Sequence, residues 1–213
     1  MIISKLHYIS QGNTLTAHLQ NIQTACSSGA ELVQLNLNNG SEKELLSCAY
    51  EAREITAHFQ TRLLISDHYK IAKEVKADGV HLGKTATCPT TVRVHLYTWQ
   101  IIGATANTLQ DCETLLSKEV DYIRLSPFKS SINNNKLPPS LGLNGYTAIT
   151  ESLKTETPII GVGGITTQDV ADILATGVSG IAVSGEITRD FNCIKTFNQL
   201  LNASSTEEQR HTF

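Results

Sequence analysis

Short apolar runs alternate with amphipathic stretches along almost the whole chain. Lys5–Ser10, Leu32–Leu37, Arg62–Asp67, Val80–Gly83, Ile101–Ala106, Tyr122–Pro127, Pro158–Val162 and Ile181–Val183 read as buried strands. Between them lie helical stretches: Leu15–Ser28 with Leu19, Ile22 and Ala25 on one face, Glu42–Phe59, His68–Lys76, Leu109–Ser117, Leu143–Leu153, Gln168–Ala175 and Asn192–Leu201. Ser41 with Glu44 three residues on is a capping box, and Gly29 and Gly177 are helix stops. Thr85–Gln100 is a loop with one weak helix. A helix between consecutive strands makes them parallel. Eight such strands predict an α/β protein with a single (β/α)8 TIM barrel over 1–201 and a polar C-terminal tail over 202–213; a doubly wound open sheet is the alternative topology.

The most informative stretch is Pro158–Ile187, a complete βαβ unit whose strands both end on small residues, Gly163-Gly164 and Ser184-Gly185. Glycine lets a ligand approach the main chain, and exposed N–H groups can turn toward an anion. Two such ends on neighbouring strands predict a phosphate cup, placed after strands seven and eight on the carboxyl face of the barrel. The other readings are tight turns alone, or a dinucleotide fingerprint, whose third glycine would be mis-spaced. The polar loop Phe128–Leu141 is either a lid or merely tolerated length.

Composition narrows the function. The chain has 213 residues and a formal net charge of −3 with no basic block, which argues against nucleic acid. The opening MIISKLHYIS is too short and polar for a signal peptide, and no run is apolar enough to span a membrane, so a cytoplasmic protein is expected. Cys26, Cys48, Cys88, Cys112 and Cys193 lack paired spacing and read as reduced thiols.

Gln34-Leu35, Asp67, ADGVHLG at 77–83, IIGAT at 101–105, DYIRLSPF at 121–128, LGLNGY at 141–146, and GVGGIT with AVSG form an ordered set of landmarks. Together they resemble the thiamine-phosphate synthase family and its sister, the thiazole tautomerases, from about Leu6 to Leu201. The resemblance implies joining a pyrimidine diphosphate to a thiazole phosphate, with Mg²⁺ and cationic side chains on the leaving pyrophosphate. It also implies that the cup, with Gly163, Gly164, Val183, Ser184 and Gly185, takes the thiazole phosphate, and that Gln34 and the metal-ligand Asp67 are kept. Asp67 reads equally well as the N-cap of the next helix.

Other family positions differ. The family's QLREK run is Gln34-Leu35-Asn36-Leu37-Asn38, so its charged residues are missing at Asn36 and Asn38. The Asn before the metal Asp is Ser66, the second metal Asp is Ala86, and the Ser after strand five is Thr105. The tautomerase histidine falls on Asn107. The TTTK clamp falls on Ser131-Ile132-Asn133-Asn134, with Lys136 two residues on. Lys84, Arg124 and Lys136 are the candidate replacement anchors, with Lys129 nearby. Arg124 either enters the barrel mouth to meet an anion or is structural, facing the helices or paired with an acid. His81 reads as a satisfied core histidine. Three functions follow: a synthase with a degraded diphosphate and Mg²⁺ site, a thiazole-phosphate isomerase without the usual histidine, or a non-catalytic phospho-ligand binder. The expected partner is a small phosphorylated ligand; a homo-oligomer is left open.

Overall fold

The computed structural model describes residues 3–37, 40–129 and 139–210, without the side chains of 203–210. Eight parallel strands close into a barrel in sequence order: β1 (Leu6–Ile9), β2 (Leu32–Leu35), β3 (Arg62–Ser66), β4 (Gly79–Leu82), β5 (Ile101–Ala106), β6 (Tyr122–Leu125), β7 (Ile159–Val162) and β8 (Gly180–Val183). Closure comes from β1 pairing with β8, Leu6 opposite Ile181 and Tyr8 opposite Val183. The expected barrel is therefore the observed one, and the open sheet is excluded.

The helices are α1 (Leu15–Ser27), α2 (Glu42–His58), α3 (Tyr69–Glu74), α4 (Pro89–Arg93), α5 (Leu109–Leu116), α6 (Gly142–Leu153), α7 (Val170–Ala175), α8 (Gly185–Arg189) and α9 (Cys193–Arg210). Local chemistry sets several starts. Thr14 accepts from Ala17 N–H, Ser41 and Glu44 form the expected box, and Thr108 and Asp111 form another. A 3₁₀ turn, Thr167–Asp169, precedes α7, with Asp169 closing a box onto Thr166. Two elements differ from expectation. The short α8 follows β8 directly, and α9 runs on to Arg210 through most of the stretch expected as a tail.

The strands bury both faces. Outward side chains pack beneath the helices in one large cluster, while Leu32, Leu64, Ile101, Tyr122, Ile160 and Ala182 fill the barrel. At the amino-terminal end two aspartates repeat one device. Asp78 accepts from Leu63 N–H at 2.8 Å and pairs with Arg53 of α2. Asp121 accepts from Ile102 N–H at 2.7 Å and pairs with Arg93 of α4. These acids of the ADGVHLG and DYIRLSPF landmarks therefore tie helices to strands on the face opposite the expected site.

Tyr122 needs room that only glycine leaves. A Cβ on Gly103 would lie 2.0 Å from Tyr122 Cζ, and the ring is fully buried. Gly103→Ala should therefore destabilise the fold by about 2 kcal/mol or more in chemical unfolding, and Tyr122→Leu in that background should recover part of the loss.

Candidate active site

The loops after β7 and β8 form a cavity of about 340 Å³, lined by Gln11, Gly163, Gly164, Thr166, Ser184, Gly185 and others. Gly163 (φ +115°) and Gly164 (φ +60°) both have positive φ, which explains glycine at each. The N–H groups of Gly164, Ile165, Gly185 and Glu186 have no hydrogen-bond partner among the described residues. They border the cavity as open donors, the requirement for an oxyanion. Ser184 differs from a simple hydroxyl donor: its Oγ donates to Ile9 O at 2.7 Å, so it fastens β8 to β1 instead. Glu186 lines the same cavity but is paired with Arg189 of its own helix.

The cation candidates divide sharply. Lys84 pairs with Asp111 at 2.8 Å, and Lys129 pairs with Asp169 at 2.7 Å. Burial opposes the charged form of Asp169, but hydrogen bonds from Lys129 and Thr166 outweigh it and hold its carboxyl below the ordinary value. Arg124 is only 4% exposed and forms no ion pair among the described residues. It faces into the barrel and crosses it, its Nη2 donating to Gln34 Oε1 at 2.7 Å. That removes both structural readings of Arg124, the helix-facing side and the acid partner.

Gln34 is consumed by this network. Its Oε1 takes Arg124 and its Nε2 donates to Ser66 Oγ at 2.7 Å. Below it, His81 bonds Tyr122 OH at 2.8 Å and Thr105 Oγ1 at 2.9 Å, a satisfied core histidine as expected. His7 Nε2 donates to Ser4 O at 2.9 Å, which leaves Nδ1 without a partner. Burial first, and the Arg124 charge second, push His7 down to about 3 and His81 well below its ordinary value. Burial likewise raises Tyr122 to about 12 and lowers Arg124 from its ordinary value.

The opposite side of the face carries a depression of about 370 Å³ lined by Glu42, Asp67, His68 and Lys70, among others. Asp67 is not the N-cap of α3. His68 occupies that position, and Asp67 (φ +57°) instead accepts from Gly83 N–H at 2.6 Å through Oδ1. Glu42 and Lys70 also line it; Glu42 does not stand out in the sequence, because an acid in the first turn of a helix is ordinary. A larger depression, about 510 Å³, lies beside β1 and β2 around Ser10, His18 and Asn36. Among the described residues its lining includes no lysine or arginine. Ser10 links its walls, accepting from Asn36 N–H at 3.1 Å and bonding His18 Nδ1 at 2.8 Å. Asn107 donates to Ser126 O at 2.6 Å, and an amide there offers no proton for acid–base work. Asn38, Ser131, Asn134 and Lys136 lie outside the described residues.

Mg²⁺ takes oxygen ligands in near-octahedral geometry, commonly one or two carboxylates plus substrate oxygens. Asp67 has one oxygen already engaged, Ala86 brings none, and no group of three or more suitable ligands occurs among the described residues. Glu42 borders the same depression, so its lining carries two carboxylates, Asp67 and Glu42, that could meet a Mg²⁺ held mainly by substrate oxygens.

Two predictions follow from this geometry. Gly185 has no positive φ, and a Cβ there would meet only the end of Gln11, at 3.6 Å. Gly185→Asp should fold normally yet weaken inorganic phosphate binding roughly tenfold or more in calorimetry, by placing like charge in the cup. Gly164→Val would be a poorer probe, because φ +60° strains a β-branched residue and its Cβ would lie 3.1 Å from Lys129 Cβ. The histidines give a pH dependence. Unfolded, each titrates near 6.5; folded, both stay neutral, so the folded state binds fewer protons in acid. Stability should fall as pH drops from 6.5 toward 4, by about 1.4 kcal/mol per pH unit from His7 with His81 adding in the same direction, and His7→Gln should remove its share of that slope.

The relatives agree with the architecture and the landmarks. A family model described as thiamine monophosphate synthase matches residues 6–187. The chain is 38% identical over 188 residues to a thiamine-phosphate synthase of Flavobacterium johnsoniae, covering 87% of this chain and 89% of that one. It is 36% identical over 200 residues to the thiamine-phosphate synthase of Flavobacterium psychrophilum, covering 92% and 97%. Among solved structures, the thiamine phosphate pyrophosphorylase from Pyrococcus furiosus superposes with a TM-score of 0.78 at 23% identity, covering 93% of this chain and 96% of that one, a likeness of fold. No helix among the described residues is long and apolar enough to cross a membrane. With the family model spanning β1 through α8 and curated relatives matched over most of their length, the chain belongs to the thiamine monophosphate synthase family.

Proposed function

We propose that this chain is a synthase-type protein of its family that keeps the thiazole-phosphate half of the site and has a weakened pyrimidine-diphosphate half. The observation that carries this reading is the contrast across the barrel mouth. Around the cup, Gly164, Ile165, Gly185 and Glu186 hold open N–H donors. On the other side the groups that would meet a diphosphate are replaced or engaged. Asn36 and Ala86 stand where the family has charge, Gln34 is committed at both ends of its amide, and Lys84 is paired with Asp111. A leaving diphosphate needs its developing charge neutralised, and removing charge partners in a desolvated site costs a few kcal/mol each.

Mg²⁺, when bound together with a diphosphate, would supply that neutralisation; Asp67 is the described family position that remains to meet it. Lys70 offers a cation nearby but is exposed. The isomerase reading draws no support from Asn107, which is held by Ser126 O. A binder without turnover is the second reading, and it rests on the same contrast. A soluble cytoplasmic setting and self-association belong to the proposal as well.

Thiazole phosphate should raise the melting temperature of the protein, whereas pyrimidine diphosphate with Mg²⁺ should raise it little. Thiamine-phosphate formation should be slow or undetectable, and Ala86→Asp should improve diphosphate binding. Robust turnover by the unmodified protein would contradict the weakened-half reading. Loss of the thiazole-phosphate response would contradict the cup.

A further inference from the structure

The outer flank of the barrel carries an aromatic belt across α2, α3 and the segment after α4. Tyr50 is 44% exposed, Tyr97 40%, Trp99 45% and Val94 78%. An aromatic side chain can bury about 150–250 Å² of surface, so three rings left nearly half in water forgo much of the stabilisation they could give. The belt is also ordered. Tyr97 and Trp99 stack with centroids 5.6 Å and planes 5° apart, and Tyr69 of α3 stacks on His95 at 5.5 Å. Tyr50 OH donates to Glu74 Oε1 at 3.1 Å, and Lys73 Nζ lies 5.6 Å from the centre of the Tyr97 ring. Rings already held in place lose little freedom when a partner covers them.

The charges at the centre of the belt say what covers it. Lys73 and Glu74 are consecutive on α3, both are exposed, and neither forms an ion pair among the described residues. Lys73 leans toward Tyr97 on the α4 side, and Glu74 toward Tyr50 on the α2 side. Across the flank the order is therefore the Tyr97–Trp99 pair, Lys73, Glu74, Tyr50. A symmetric interface sets one surface against its own copy. A twofold axis along α3 sets Lys73 against Glu74 of the partner subunit, and the Tyr97–Trp99 pair against Tyr50 of the partner subunit. The belt thus complements itself in charge and in apolar character. A lipid surface or a nucleic acid is met by cations, whereas here a carboxylate shares the centre and the chain carries a formal net charge of −3.

We propose that this belt is the docking surface for a second copy of the chain, in a symmetric homodimer joined flank to flank over α3. The inference rests on the self-association included in the reading above and gives it a surface; it does not rest on the cup. In the closed barrel β3 and β4 lie across from β7 and β8, so the belt and the cup occupy opposite sides. The stacked rings supply the apolar anchor, and the Lys73–Glu74 pairs fix which orientation of the two copies is accepted.

The test is sedimentation equilibrium of the full chain over a series of concentrations. The wild type should dimerise with a Kd of about 10 μM or tighter. Trp99→Asp, at an exposed position, should weaken the dimer roughly tenfold or more. Lys73→Glu and Glu74→Lys should each weaken it by placing like charges together, and the double swap should restore most of the affinity, a recovery that a merely local role for either residue would not produce. Should Trp99→Asp fail to fold, the two charge variants and their combination decide the matter. A dimer that Trp99→Asp leaves intact, or a double swap no tighter than the single variants, would overturn this surface while self-association stands. A chain that stays monomeric throughout would overturn both.

Discussion

The contact from Arg124 to Gln34 spans the barrel from β6 to β2, and much of the site's character depends on it. It occupies the amide oxygen of Gln34, whose nitrogen is already given to Ser66 at the end of β3. It sets the electrostatics below it, where burial and the guanidinium charge together keep His7 and His81 neutral. It shares the interior with Tyr122, whose ring demands Gly103 on the adjacent strand. One arginine thus couples the upper layer, the polar network beneath it and a packing constraint.

The carboxyl face then divides into two regions of different readiness. Beside β7 and β8 the backbone donors are open and the glycine conformations that expose them are satisfied. Beside β2 through β4 the polar groups are spent on one another: Asp67 on Gly83, Gln34 on Ser66 and Arg124, Lys84 on Asp111. Preorganised donors cost little to use when an anion arrives, whereas committed groups must first lose a partner. That asymmetry separates the two regions more clearly than the number of replaced residues does.

Local signals were legible in the sequence. The capping box of Ser41 and Glu44, the helical stretch ending at Ala175 and the glycine pair after β7 each depend on neighbours within a few residues, and each appears as expected. What escaped depends on distance. A barrel strand is buried on both faces, so alternation cannot tell whether Arg124 points inward or outward. Its partner Gln34 lies 90 residues away. Asp67 looked like a helix cap because it precedes a helix, but its positive φ turns the carboxylate to Gly83 on the next strand. The five-residue α8 is too short to show a period, and Gln11 joins the cup only because barrel closure brings β1 beside β8.

The central claim is that anion recognition begins at open backbone donors after β7 and β8. The most direct test is to follow the backbone amide resonances of the isotopically labelled protein while inorganic phosphate is added. The account predicts that the amides of Gly164, Ile165, Gly185 and Glu186 shift most, with saturable and mutually consistent binding curves. Shifts centred instead on Asp67, Gly83 and Lys70, or no saturable shift at the four cup amides, would contradict it.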